Sequence, residues 1–119
     1  MRIAIASNDH MGLNSQVSAH FGKCPYYTIV DIENGNIETI KNLQNPFSEH
    51  TQGQVPAFIN EQKVNILITG GIGSRAIDFF NNFDIKVISG ISGRIANILD
   101  DYINDKYNEV SIPKTCKEK

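Results

Sequence analysis

The chain has 119 residues, 40% of them hydrophobic and 20% charged, with a formal net charge of -2 at pH 7. That composition suits one folded domain able to bury a core without disulfides, and it excludes a disordered chain. It also lacks the excess of Lys and Arg that non-specific nucleic-acid binding requires. The opening Met1-Arg2-Ile3-Ala4-Ile5-Ala6 is apolar over too few residues for a secretion signal or a membrane span, so a cytoplasmic location is expected.

Two cysteines, Cys24 and Cys116, stand far apart, and a reducing compartment disfavours a bond between them. No Cys-x-x-Cys pair occurs, which excludes a self-contained zinc ribbon or ferredoxin-type site.

Arg2 to Ser7 reads as a short buried strand, followed by a polar loop from Asn8 to Cys24. Tyr26 to Ile32 is β-branched and aromatic, a second strand. Asn34-Gly35 predicts a hairpin turn, because both residues tolerate positive φ. Ile37 to Leu43 returns as a third strand, with Ile37, Thr39, Lys41 and Leu43 on one face and Ile40 on the other, a pattern that predicts partial cover on both sides. Gln54 to Gln62 reads as a short helix with Pro56 in its first turn. Val64 to Thr69 is a continuous apolar run, as a central parallel strand requires. Ser74 to Phe83 is helical, with Ala76, Phe79, Phe80 and Phe83 sharing a face assigned to the core. Ile85 to Ser89 is a fifth strand, Ser92 is a candidate cap, and Arg94 to Lys106 is a helix with an apolar stripe at helical spacing. Tyr102, on that stripe, is assigned to the core.

A hairpin followed by alternating strands and helices predicts an α/β fold. The expected sheet is mixed and five-stranded, in the order 3-2-1-4-5, and covered by three helices. Ligands of open α/β sheets sit beyond the carboxyl ends of the parallel strands. The loops leaving that end carry His10, His20, Cys24 and His50, and so are expected to gather every histidine of the chain on one rim.

His20 and Cys24 are imidazole and thiol, the common soft-metal ligands, and His50 is a candidate assistant. A second loop, Gly70-Gly71-Ile72-Gly73-Ser74-Arg75, opens a helix. Its glycines admit a close backbone approach, the helix start favours an anion, and Arg75 adds a cation. A tight strand-to-helix turn needs the same glycines. The loop is not a phosphate-binding Gly-x-x-x-x-Gly-Lys-Ser/Thr motif, nor a dinucleotide fingerprint.

With these residues in view, the chain resembles the dinitrogenase iron-molybdenum cofactor biosynthesis family, which includes NifX-like carriers, the core of NafY and the C-terminal domain of many NifB proteins. The matching segments are Ile3 to Ser7, His20-Phe21-Gly22-Lys23-Cys24-Pro25 through Asp31, Asn45-Pro46, Gly70 to Ala76 and Ile85-Lys86-Val87. The resemblance implies a ribonuclease H-like fold and a single NifX-like domain over residues 1–108, while the charged end over 109–119 reads as a flexible tail. It implies no nuclease activity, since the grouped carboxylates of a two-metal nuclease are missing.

It also implies a small non-enzymatic protein that carries an anionic iron-sulfur or iron-molybdenum-type cluster. His20, Cys24 and His50 are then the candidate metal ligands, and Gly70, Gly71, Gly73, Ser74 and Arg75 the anion cradle. Cofactor-assembly or acceptor proteins are the implied partners, with no nucleic acid or membrane. Two other readings stay open: a small enzyme on a phosphorylated or carboxylated metabolite with His20 as base, and a partner-binding regulatory module.

Overall fold

A computed structural model describes residues 1–46 and 53–104. Five strands, β1 (Arg2–Ser7), β2 (Tyr26–Glu33), β3 (Asn36–Gln44), β4 (Ile66–Ile68) and β5 (Lys86–Ile88), form one sheet in the order β3-β2-β1-β4-β5. β1 is antiparallel to β2 and parallel to β4. β3 pairs antiparallel with β2, and β5 parallel with β4. The helices α1 (Gln54–Glu61), α2 (Ser74–Asn82) and α3 (Ile95–Ile103) complete the α/β fold predicted from sequence. A single 3-10 turn, Gly12–Asn14, lies in the first long loop.

Strand alternation divides the core in two. On one face Ile3, Ile5, Val30, Ile32 and Ile68 pack against Ile95, Ile98, Leu99 and Tyr102 of α3. On the other, Ala4, Ala6, Tyr27, Ile29 and Leu67 pack against Val55 and Ile59 of α1 and Phe80 of α2. Small residues on β1 leave room for rings on this second face. There Phe21 meets Phe80 edge-on, with ring centroids 5.3 Å apart, and Tyr27 at 5.6 Å.

The Asn34-Gly35 turn forms as expected, with φ of 53° and 79°. Three expectations need correction. β3 is an edge strand, exposed along nearly its whole length, and Ile37 and Ile40 are 36% and 42% exposed, so partial cover on both sides is not found. The alternation is interrupted by a bulge opposite Asp31 and Ile32, which sequence spacing could not anticipate. Ser92 does not cap α3. Its helix begins after Arg94 with no side-chain cap, and the Ile95 N–H instead donates to the Ser15 carbonyl at 2.9 Å. Lastly, β4 and β5 have only three residues each, shorter than their apolar runs suggest.

One ion pair ties the sheet's far end. Arg2 Nε donates to Asp31 at 2.7 Å, its Nη1 donates to the Gln62 carbonyl at 2.6 Å, and the Thr39 hydroxyl donates to Asp31 at 2.7 Å. The hydrogen bonds from Arg2 and Thr39 hold the Asp31 carboxyl below the usual range. A depressed folded-state value means a stabilising contribution that is present at neutral pH and lost on acidification through that value. The stability gap between the parent and Asp31→Asn, measured by denaturant melts across pH, is therefore expected to close below about pH 3.9, the value of a free aspartate. Phe80, fully buried between α2 and the sheet, is expected to cost about 3–5 kcal/mol on Phe80→Ala in the same melts at pH 7.

Candidate functional site

The first long loop is fastened to the glycine loop by backbone alone. The Gly70 N–H donates to the Ser18 carbonyl at 2.9 Å, Gly71 N–H to Ala19 at 2.6 Å, and Phe21 N–H to the Gly71 carbonyl at 2.9 Å. His20 and Gly71 thus pair as a short parallel extension beyond the sheet. The reason for glycine here is contact with chain, not ligand. A Cβ on Gly70 would stand 2.7 Å from the Ser18 carbonyl oxygen, and one on Gly71 would stand 2.7 Å from that of Ala19. Of the amides near Gly71 and Gly73 expected to hold negative charge, that of Gly71 already donates to the neighbouring loop, as does that of Gly70.

These ties place His20 on the rim of a cavity of about 580 Å³. The volume lies within the range of small-molecule sites. Phe21 and Val55 line its buried side, Pro56 and Phe79 belong to the wall that α1 and α2 supply, and Lys23 and Arg75 bring cationic side chains. Among the described lining residues the charged side chains are Lys23 and Arg75. α2 opens on the cavity through Gly73, Arg75 and Ala76, which adds the positive end of its dipole. Gly73 has ordinary extended φ of -77° and open space around its would-be Cβ. Ser74 is exposed and is not among the lining residues.

The remaining candidates are separated. Cys24 is 2% exposed and packs in the core with Phe21 and Tyr27, not in the cavity wall. Its Sγ lies 3.2 Å and 3.3 Å from the Phe21 and Tyr26 carbonyls, to which the thiol donates. Burial pushes that thiol up, away from the thiolate a metal requires. Burial likewise keeps Tyr27 protonated beside it, and its hydroxyl donates to the Phe21 carbonyl at 2.7 Å. The two side chains brace the floor under the His20 loop.

His10 does not join the rim. Its ring lies 5.9 Å from that of Tyr26, and alternation along β2 sets Tyr26 on the α3 face, opposite to Tyr27. Asp9 beside it accepts from the Ser15 hydroxyl and the Met11 N–H, which hold its carboxyl below the usual range. His50 and Cys116 lie outside the described residues, as does the 109–119 segment read as a tail. Among the described residues no group of three His, Cys, Asp or Glu side chains is placed to enclose a metal ion.

Several lining contributions are not visible in the sequence, among them Lys23 and the α1 residues Val55 and Pro56. Helical spacing puts Phe79 in the core with Phe80, but it is only half-buried and lines the cavity, while Phe80 is fully buried. Helical periodicity gives one apolar face and does not tell which end of that face the sheet covers.

Fold and site together define a small α/β domain with an amphipathic cavity whose described lining includes His20, Lys23 and Arg75. The chain belongs to the family described as dinitrogenase iron-molybdenum cofactor, whose model matches residues 1–105. It is similar to PH0822, whose crystal structure superposes with a TM-score of 0.82 at 38% identity, covering 88% of this chain and 92% of that one. The apo form of the orange protein from Desulfovibrio gigas shares the fold, with a TM-score of 0.76 at 18% identity over 88% of each chain. The uncharacterized protein MJ0580 of Methanocaldococcus jannaschii is 35% identical over 77 residues, 62% of this chain; the match spans 65% of that relative's length. No helix among the described residues is long and apolar enough to cross a membrane.

The contact geometry separates the glycines by role. Gly71→Ala drives a Cβ onto a backbone oxygen and is expected to cost about 1–3 kcal/mol, as overpacking does. Gly73→Ala, with free space and an accessible φ, is expected to change stability by less than about 0.5 kcal/mol. Paired denaturant melts check the contrast.

Proposed function

We propose that this protein carries or chaperones an iron-containing, anionic metallocofactor, an iron-sulfur or iron-molybdenum-type cluster, and passes it to assembly or acceptor proteins. The observation that carries this reading is the pairing of one exposed imidazole, His20, with a cavity whose charged lining residues, Lys23 and Arg75, are both cationic. Imidazole binds iron through a neutral nitrogen, and the two cations balance a negatively charged ligand. The apolar wall from α1 and α2 lowers the local dielectric and strengthens that attraction.

Membership of the family supports a cofactor-associated role. The donor set supports carriage in preference to permanent housing. A resident structural metal site is closed by several protein ligands, whereas among the described residues this cavity offers one imidazole with Lys23 and Arg75, a hold that a competing acceptor can break. Cys24 contributes the floor and not a ligand in this reading, because its thiol is spent on backbone carbonyls. The Gly73 end of α2 and Arg75 form the anion-facing side in place of Gly70 and Gly71.

The test is anaerobic reconstitution of the purified chain with ferrous iron and sulfide, read by metal analysis and visible absorption. The parent is expected to take up cluster, and His20→Ala to bind it about tenfold or more weakly. Lys23→Gln combined with Arg75→Gln is expected to weaken binding and to flatten its dependence on salt. Equal uptake by His20→Ala and the parent would remove His20 as ligand and the proposal with it.

A further inference from the structure

We propose that Ser18 is the positioning residue of the His20 site, its hydroxyl fastening both backbone polar groups of His20 and so setting where the imidazole stands. The Ser18 Oγ accepts the His20 N–H at 3.2 Å and donates to the His20 carbonyl at 3.1 Å. Ala19 and His20 are both exposed, so packing cannot fix this stretch, and hydrogen bonds must. Ser18 itself is 5% exposed and is anchored independently of its side chain. Its N–H donates to Ala6 of β1 at 2.7 Å, and its carbonyl accepts from Gly70 at 2.9 Å.

That arrangement separates two roles within one residue. The Ser18 backbone joins β1 to the glycine loop and survives any substitution. The hydroxyl acts on His20 alone. Deleting it leaves the loop attached through the Gly71 bonds to Ala19 and Phe21 and removes the side-chain tie on the His20 N–H and carbonyl themselves, which loosens the residue that presents the imidazole. Groups that orient a metal-binding histidine from behind govern affinity nearly as strongly as the ligand itself. The consequence for binding rests on the reading of His20 as ligand; the consequence for His20's position does not.

The experiment compares the parent, Ser18→Ala, Ser18→Thr and, as a control, Ser7→Ala. Ser7 is a fully buried serine whose hydroxyl serves the sheet through the Ile5 carbonyl and Thr28, away from the cavity. The first readout is amide hydrogen exchange by NMR. In the parent the His20 amide is expected to be protected although the residue is exposed. In Ser18→Ala it is expected to exchange several-fold to about tenfold faster, with Val17 and Phe21 unchanged because their amides bond Gly93 and Gly71.

The second readout is the ferrous iron and sulfide reconstitution. Ser18→Ala is expected to bind about tenfold more weakly, Ser18→Thr to recover binding, and Ser7→Ala to lose stability without losing affinity. An unprotected His20 amide in the parent overturns the proposal without need of any variant. So does parental His20 exchange in Ser18→Ala, or parental iron binding in Ser18→Ala under conditions where His20→Ala loses it. Should His20→Ala bind as the parent does, the carrier reading fails alone, and the exchange data still decide whether Ser18 positions His20.

Discussion

Everything at the site depends on three backbone hydrogen bonds between residues 18–21 and the Gly70-Gly71 pair. Each contributes only about 0.5–1.5 kcal/mol net. Their value lies in where they act. They continue the sheet's pairing past the end of β1 and β4, and so convert a loop into a ledge from which His20 overlooks the cavity. The ledge exists only because positions 70 and 71 lack a Cβ. With one, the two backbones would collide at 2.7 Å. The sequence feature that looked like a cradle for a ligand is a cradle for another part of the chain.

The two layers of the core divide the labour. The α3 face is mainly an aliphatic pack of Ile, Val and Leu, closed by Tyr102. The opposite face has Ala4 and Ala6 on the central strand, and fills the space with the rings of Phe21, Tyr27 and Phe80. α1 and α2 both contribute side chains to the cavity on this face. The cavity forms there, with Phe79 and Pro56 on the helical side and Lys23 on the loop side. Burial of Cys24 and Tyr27 beneath, both bonded to the Phe21 carbonyl, gives the cavity a floor fixed in polar terms as well as packed. A site built in this way has a firm base and a charged, open mouth, which suits a ligand that enters and leaves.

The fold was largely legible because its signals are local. The β-branched and aromatic run of Tyr26 to Ile32, the Asn34-Gly35 turn and the apolar stripe of α3 each follow from residues adjacent in sequence, and the strand order then follows from short connections and right-handed crossovers. The misjudged details concern neighbours. β3 alternates like a covered strand but lies at an edge, and the first N–H of α3 donates to the carbonyl of Ser15, some eighty positions away.

The sequence by itself determined that an imidazole and a glycine loop leave the same end of a mixed sheet, since strand direction and loop order follow from chain connectivity. Tertiary structure alone decided the rest. It set His10 and His20 on opposite sides of the sheet, turned the Cys24 thiol into the core, and assigned the amides of Gly70 and Gly71 to Ser18 and Ala19. The physical reason is that facing, burial and hydrogen-bond partnership are properties of pairs of residues distant in the chain, and only packing chooses the pairs.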